Sequence, residues 1–382
     1  MKKRILILGP LSDSGGREIE AHFMAHTLLS KFDVAVLSTI KMTANSEVLQ
    51  NKLPVQWTTV DKIISKNTGI ALLNLACKYY NGVSEPSYCY TQNKISKQFY
   101  NFEKAYLTVL DQEIQKYDAL LFTGEFKSKW LPEIMAICAK YTKRITIRIT
   151  GTIKTIPPVL IPFLPQVDKI ILHSVSNSKL LTTYANQNFV FIDQTALSEN
   201  DLLCIACEEV PNLTYGFLGR FSPEKGIIEL VNRFKNLDKK LIIAGDGPLR
   251  NQVINSITAH ANILYIGAVK NETLVDFYNA IDVLIIPSFE EAGPLVGVEA
   301  MAAGKIIVST NVGAMQERLA GTANQFWFDI TDENSLGVAL DALERIPSAL
   351  LQKIRQEVKN AYISNYSNAT LSRDYLKLFS NY

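Results

Sequence analysis

Short runs of Ile, Leu and Val alternate along this chain with longer stretches in which apolar residues return every three or four positions. The runs "RILILGP" (4–10), "FDVAVLS" (32–38), "DALLFTG" (118–124), "RITIRITG" (144–151) and "KIILHS" (169–174) are continuous, and each is bounded by polar or glycine residues. A strand buried on both faces of a helix-covered parallel sheet reads this way. The pattern then restarts with "TYGFLGR" (214–220), "KLIIAGDG" (240–247), "NILYIG" (262–267), "DVLIIPS" (282–288) and "KIIVSTNVG" (305–313). The prediction is an α/β protein with two doubly wound sheets, one per half, and ligands at the carboxyl ends of strands. Between the halves, "NQNFVFIDQTALSENDLLCIACEEVPN" (186–212) has weak periodicity and is the predicted linker, with the boundary near residue 195.

Length and composition agree with two cores. At 382 residues and 47% hydrophobic content, the chain is long for one domain of about 150 residues and apolar enough for two. Cys77, Cys89, Cys138, Cys204 and Cys207 show no framework spacing, which suits a reducing compartment. Cys204 and Cys207 make a lone CxxC without the further ligands a zinc site needs. Gly9 and Pro10 interrupt the first apolar run too early for a secretory leader, and no segment approaches the roughly 18 to 20 apolar residues of a membrane span. A cytoplasmic location is expected. "GPLSDSGG" after the first strand lacks the GxGxxG a dehydrogenase requires, and the absence of repeats or biased tracts excludes solenoids and disordered tails.

Charge divides unevenly. Residues 1–190 hold 23 Lys+Arg against 14 Asp+Glu, net +9, and residues 191–382 hold 16 against 23, net −7. A basic half can draw in an anionic surface such as a lipid leaflet or a nucleic acid, although lysines that merely solvate a domain give the same count.

Candidate chemistry gathers at strand exits of the second half. "GFLGRFSPEKGIIELVNRF" (216–234) runs a strand to Gly219, then Arg220, a Ser-Pro turn, Lys225, Gly226 and an amphipathic helix. Two cations at one exit suit a diphosphate, Arg as a planar fork and Lys as a point charge, with no metal required. In "AGDGPLRN" (244–251), Gly245 and Gly247 let backbone approach a ligand or the neighbouring loop. "SFEEAGPLVGVEAMAAGK" (288–305) supplies a third exit loop and a helix with Pro294 in its first turn, where N–H groups suit an anion. Glu291 precedes that anion site and Glu299 lies five residues into the helix, about 7.5 Å along its axis. One acid therefore falls on each side of a bound diphosphate. Carboxylates accept well from vicinal hydroxyls, which assigns Glu299 to a ribose and Glu291 to a sugar. Two solvated surface glutamates would not explain the neighbours Val296, Val298, Ala300 and Met301.

In this order the residues resemble the retaining nucleotide-sugar glycosyltransferases of family 4, which have the two-domain GT-B fold. The resemblance is close over 214–335: Gly219, Arg220, Lys225 and Gly226, the Gly-Asp-Gly-Pro exit, "AIDVLIIPS", the Glu-x7-Glu pair Glu291 and Glu299, "EAMAAGKIIVSTNVG", and Glu317. It is looser in the first half, where "GPLSDSGGREIEAHFMAHTLLSKFDVAVL" looks like the family's Gly-rich loop and following helix, with Gly15 and Gly16 on the acceptor side. The resemblance implies two Rossmann-like domains facing each other across a cleft. Residues 1–195 plus a returning C-terminal helix (366–382) would bind the acceptor, and residues 196–365 the nucleotide sugar. Arg220 and Lys225 would hold the leaving diphosphate, Glu299 the ribose and Glu291 the donor sugar. Gly293, Pro294 and Leu295 would touch sugar or phosphates, and Gly219 and Gly245 would shape the donor loops.

The implied reaction is retaining transfer of a hexose-type sugar from a UDP- or GDP-sugar to a hydroxyl of a glycan or lipid-linked acceptor, in bacterial surface polysaccharide or glycolipid assembly. No cofactor is implied and no nucleic-acid partner, and the chain has no Asp-x-Asp to hold a metal. The family's usual Gly-Phe-Gly after the first glutamate is replaced by Ala292, Gly293 and Pro294. Relatives also carry a histidine at a first-half strand exit, where this chain has Thr123 and Gly124, or Thr150 and Gly151; His22, His26, His173 and His260 lie elsewhere, so that contact has no assigned residue. The alternatives are a non-catalytic module that binds sugar nucleotide or glycan, and a sugar-nucleotide epimerase. Arg220, Lys225, Glu291 and Glu299 together speak against the first, and product analysis separates the second.

Two expectations concern surfaces. "NKISKQFYNFEKAYLTVL" (93–110) puts Ile95, Phe99, Phe102 and Tyr106 on one helical face beside lysines, and "TIKTIPPVLIPFLP" (152–165) is apolar. With the net +9 they predict peripheral attachment to the inner face of the cytoplasmic membrane. "YSNATLSRDYLKLFSNY" (366–382) carries Leu371, Tyr375, Leu378 and Phe379 at helical spacing and is expected to pack on the first domain.

Overall fold

The structure, a computed structural model, describes residues 2–82, 84–184, 189–210 and 212–380. The chain divides into two compact units. The first holds Met1–Leu172, Ser178–Ile192 and Ser372–Tyr382, and the second holds His173–Asn177 and Asp193–Leu371.

The first unit is built on seven parallel strands: β1 (Arg4–Gly9), β2 (Asp33–Ser38), β3 (Gln56–Thr59), β4 (Ala119–Gly124), β5 (Arg144–Ile149), β6 (Lys169–Leu172) and β7 (Phe189–Phe191). Their order is β3-β2-β1-β4-β5-β6-β7. Ile5 to Leu8 and Leu120 to Phe122 are buried on both faces, as continuous apolar runs require. The order reverses between β1 and β4, which makes that pair the unit's switch point. One charge interrupts the apolar centre: Arg148 of β5 is fully buried, pairs with Glu20 of the Gly16–Leu29 helix and donates to the Ile192 carbonyl. Burying it without both partners would cost several kcal/mol.

The second unit carries six parallel strands: β8 (Thr214–Leu218), β9 (Lys240–Ala244), β10 (Ile263–Tyr265), β11 (Val283–Ile286), β12 (Ile306–Ser309) and β13 (Phe326–Trp327). Their order is β10-β9-β8-β11-β12-β13, with the reversal between β8 and β11. The Ile227–Phe234 helix buries Ile227, Leu230, Val231 and Phe234 against this sheet, the single apolar face its spacing predicts.

Two regions differ from expectation. Residues 93–110 do not form one helix: Ser96–Phe99 and Phe102–Gln115 are separate, and Asn101 caps the second by accepting from the Lys104 N–H at 2.9 Å. A capping asparagine starts a new helix where periodicity alone would continue the old one. The proposed common face is therefore lost. Tyr106 turns inward to stack on Trp130 (centroids 5.0 Å apart) while Phe99 stays exposed. The stretch 186–212 also holds more structure than a linker. Residues 185–188 and 211 lie outside the described residues, but β7 completes the first sheet, and the Glu199–Leu203 helix buries Leu202 in the second core.

The C-terminal helix Asn368–Phe379 brings Tyr375 edge-on to Phe23 (6.1 Å) and Phe379 to Phe32 (6.4 Å), all within the first unit. Residues 381 and 382 lie outside the described residues. Among those described, no helix is long and apolar enough to cross a membrane.

Phe379 is fully buried, so Phe379→Ala should cost about 3 to 5 kcal/mol, the usual range for emptying a buried phenyl site. Hydrogen exchange read on the Gly16–Leu29 helix locates the loss. Unchanged protection there would show that the last helical turns do not support the first unit.

Candidate active site

Three loops leave the second sheet from neighbouring strands β9, β8 and β11, on both sides of its switch point. The first two are stitched backbone to backbone. Gly219 N–H donates to the Ala244 carbonyl (3.1 Å), Phe221 N–H to Asp246 (2.8 Å) and Leu249 N–H to Phe221 (3.0 Å). Gly245, at φ 143°, makes the approach possible, because a Cβ there would stand 1.9 Å from the Gly219 carbonyl oxygen. The Gly-Asp-Gly turn thus serves the neighbouring loop. The β8 and β11 exits join in the same way: Phe289 N–H donates to Glu224 (2.9 Å), and Gly226, at φ 66°, sits where a Cβ would lie 2.0 Å from the Pro287 carbonyl oxygen. A side chain at either glycine would push these exits apart.

Pro223–Lys225 forms a single 3-10 turn that brings the Lys225 ammonium into a direct ion pair with Glu291. The Ser288 hydroxyl reaches the same carboxylate at 3.4 Å. Arg220 is exposed at the same exit. Glu224 has its carboxyl held below the usual range, first by the Ser222 hydroxyl and then by the charges of Lys225 and Arg220.

The following helix runs Leu295–Ala302, and Pro294 is its N-cap, one residue outside the first turn, because its extended ψ of 117° does not continue the helix. No side chain caps this end. Glu299 is buried, and the Tyr278 hydroxyl lies within reach of both the Val296 carbonyl (3.1 Å) and the Glu299 carboxylate (3.2 Å). Burial, and then the charge of Glu299, push the Tyr278 phenol well above its ordinary value. It therefore remains a protonated donor.

Behind this loop lies a network that sequence reasoning missed. Arg318 is buried and grips Asp193 with two hydrogen bonds of 2.8 and 2.7 Å, while its other nitrogen donates to the Pro294 carbonyl. Burial alone would raise the Asp193 carboxyl, but the Arg318 guanidinium outweighs it and holds the group well below the usual range. His173 lies 3.5 Å from Asp193, and a Cβ on Gly293 would meet His173 at 2.9 Å and Arg318 at 3.0 Å. Glu317 accepts from the backbone N–H groups of Val175 and Ser176, both at 2.9 Å, and so pins the segment that carries His173. Of the side chains Arg318, Asp193, His173 and Glu317, only Glu317 is assigned to the site from the sequence. Asp193 fell in the predicted linker, and its partner is 125 positions away.

Gly219, Arg220, Lys225, Gly245, Glu291, Gly293, Pro294, Leu295 and Glu299 thus lie at the exits of adjacent strands or on the helix that follows. Gly15 and Gly16 belong to the first unit, at the exit of β1. Gly15 caps the Gly16–Leu29 helix and donates its N–H to Glu47 at 2.7 Å. At the exits of β4 and β5, Thr123 is buried and the Thr150 hydroxyl accepts from Arg17 at 3.1 Å.

Residues 209–361 match the family model for glycosyl transferases group 1. Over 132 residues, 33% of this chain, the sequence is 30% identical to an uncharacterised glycosyltransferase of Methanocaldococcus jannaschii. Over 117 residues, 26% of the chain, it is 32% identical to the lipopolysaccharide 1,2-N-acetylglucosaminetransferase of Salmonella typhimurium. These alignments span 34% and 31% of the relatives' own lengths. The crystal structure of Anabaena HepE in complex with UDP matches 99% of this chain and 100% of its own, with a TM-score of 0.71 at 16% identity. That likeness establishes the GT-B fold of two parallel-sheet, Rossmann-like domains.

Asp193→Asn should remove the charge that compensates Arg318 and cost about 3 to 5 kcal/mol, the range for breaking a buried pair. The wild-type carboxyl is depressed on folding, so its contribution is complete above the unfolded value of about 4 and drains away as pH falls below it. Denaturant titrations at neutral and acid pH check both points. A variant as stable as wild type at neutral pH would overturn the role given to the pair.

Proposed function

We propose that this protein is a glycosyltransferase. It would move a hexose-type sugar, with retention, from a UDP- or GDP-sugar to a hydroxyl of a glycan or lipid-linked acceptor in surface polysaccharide or glycolipid assembly, without a metal or other cofactor. The observation that carries this reading is the convergence of Arg220, Lys225 and Glu291 at the β8/β11 switch point, with Glu299 on the helix behind, inside the segment that matches the group 1 model. A relative named for lipopolysaccharide sugar transfer and a structural neighbour solved with UDP support it.

In this reading the diphosphate lies against the uncapped first turn of Leu295–Ala302, where Gly293, Pro294 and Leu295 offer backbone to sugar or phosphates. The fork of Arg220 and the ammonium of Lys225 take up the charge that grows on the diphosphate as the C1–O bond breaks, while the acceptor hydroxyl approaches the same face of the sugar. Lys225 and Glu291 neutralise each other in the structure. A diphosphate would engage Lys225 and turn the Glu291 carboxylate toward sugar hydroxyls. Glu299, held by Tyr278, would accept from the ribose. Gly219 and Gly245 keep the two loops in contact, and Gly15 and Gly16 remain the acceptor-binding candidates. The setting is cytoplasmic, with peripheral attachment to the inner membrane face.

Incubation with a panel of UDP-, GDP- and ADP-sugars and glycan acceptors, read by mass spectrometry, tests the assignment. A sugar nucleotide altered without acceptor would point to epimerisation, and binding without turnover to a non-catalytic module.

Arg220→Ala and Lys225→Ala should each lower kcat/KM by about 10² or more, the scale of losing one preorganised charge. Turnover near wild type in both variants would remove the diphosphate from this loop.

Glu299→Ala should weaken calorimetric binding of free nucleotide diphosphate by about tenfold or more, as expected for hydrogen bonds to a charged group. Glu291→Ala should lower kcat without weakening that binding, because it removes the anion that competes for Lys225. Equal losses of affinity in both would refute this division.

A further inference from the structure

The helix Thr68–Asn81 of the first unit has one charged residue, Lys78, among its 14. It is anchored inward through Ile70 and Asn74, its two buried positions, and the Asn74 amide meets the Thr91 hydroxyl at 2.9 Å. A helix this apolar is ordinarily covered on every side. Here the face away from the anchor is open: Leu72, Leu75 and Tyr79, spaced i, i+3 and i+7, are 70%, 56% and 91% exposed, and Tyr80 beside them is also exposed. The short Ser96–Phe99 helix hangs from the same point, since the Ser96 hydroxyl donates to the Thr91 carbonyl at 2.8 Å. It adds exposed Ile95 and Phe99. Leu72, Leu75 and Tyr79, large side chains exposed together on one helical face, mark a surface made for contact.

Charge selects the partner. Residues 66–104 hold five lysines, Lys66, Lys78, Lys94, Lys97 and Lys104, against Glu85 and Glu103, net +3. Glu85 is already paired with Lys41 at 2.6 Å. A second copy docked through this same face would bring the same positive charge against it. An acidic bilayer instead offers opposite charge to the lysines, an apolar interior to the leucines and an interfacial layer that suits tyrosine.

We propose that the open face of Thr68–Asn81 is the surface by which the protein lies on an anionic lipid bilayer. Leu72, Leu75 and Tyr79 enter the boundary between headgroups and acyl chains, and Lys94 and Lys97 stay among the headgroups. This gives the peripheral attachment proposed above its surface and rests on that reading.

Flotation of the full chain with phosphatidylcholine vesicles, with and without phosphatidylglycerol, tests it without donor or acceptor. The wild type should float with the anionic vesicles and be released by salt. The triple variant Leu72→Ser/Leu75→Ser/Tyr79→Ser should keep its melting midpoint, because all three side chains are exposed, yet partition at least about tenfold more weakly. Lys94→Gln/Lys97→Gln should show weaker binding with a flatter salt dependence. Flotation of the triple variant equal to wild type, or no wild-type flotation even at low salt, would overturn the proposal. So would a wild-type dimer that the triple variant dissolves while vesicle binding is unchanged. Absence of sugar transfer by the wild type, with flotation and its loss in the triple variant intact, would overturn the enzymatic reading and support this one.

Discussion

The buried guanidinium of Arg318 is the constraint from which the second unit's loop geometry follows. Taking such a charge out of water costs several kcal/mol unless its donors are met by well-placed acceptors. They are met by the Asp193 carboxylate and the Pro294 carbonyl. These groups come from positions widely separated in the chain, so Arg318 can be buried only when the segment around 193 and the turn before the Leu295–Ala302 helix are both in place. The low pKa of Asp193, won against its own burial, is the electrostatic sign of the same coupling. The Glu-x7-Glu loop is therefore held by the folding of the unit.

What Arg318 does from below, glycines do from the side. At Gly226 and Gly245 backbone approaches backbone so closely that no side chain fits. The three strand exits become one block, and the separation of Arg220, Lys225 and Glu291 is set by main-chain hydrogen bonds. Preorganisation of this kind is what electrostatic stabilisation of a leaving group needs, since charges that must move to meet the transition state lose much of their advantage. The Lys225–Glu291 pair keeps both partly buried charges compensated until something with better geometry competes for one of them.

The fold was legible because its central strands announce themselves. β1, β4, β8, β11 and β12 are continuous apolar runs, and a run buried on both faces has few other readings. The strands that escaped, β3, β7 and β13, are edge strands of four, three and two residues, half covered at best: β3 is Gln-Trp-Thr-Thr, and the apolar residues of β7 and β13 are too few to stand out from the loops around them. In the site, residues joined by local spacing were readable: the cations around one turn and the two acids flanking one helix start. Asp193, His173 and Arg318 were not, because a buried charge looks like a solvated one until its partner is known, and that partner is a property of the fold. The break at Asn101 failed for the opposite reason. There a local cap overrode a periodicity that looked continuous.

Charge takes opposite signs in the two halves of the chain. Residues 191–382 carry net −7, the same sign as a nucleotide diphosphate, so the whole field of that half would repel the proposed donor. Screening decides the matter: at physiological salt the Debye length is about 8 Å, so acids on distant faces contribute little at the β8 exit. What counts there is local, namely Arg220, Lys225 and the start of an uncapped helix, whose dipole favours an anion. In the basic first half the lysines are instead spread across a surface with exposed Leu72, Leu75, Tyr79 and Phe99 among them. A dispersed positive charge gathers little around one small anion but sums over a plane of them. The same chain can therefore concentrate charge at the point proposed to hold one diphosphate, and spread charge over the face proposed to meet an extended anionic surface.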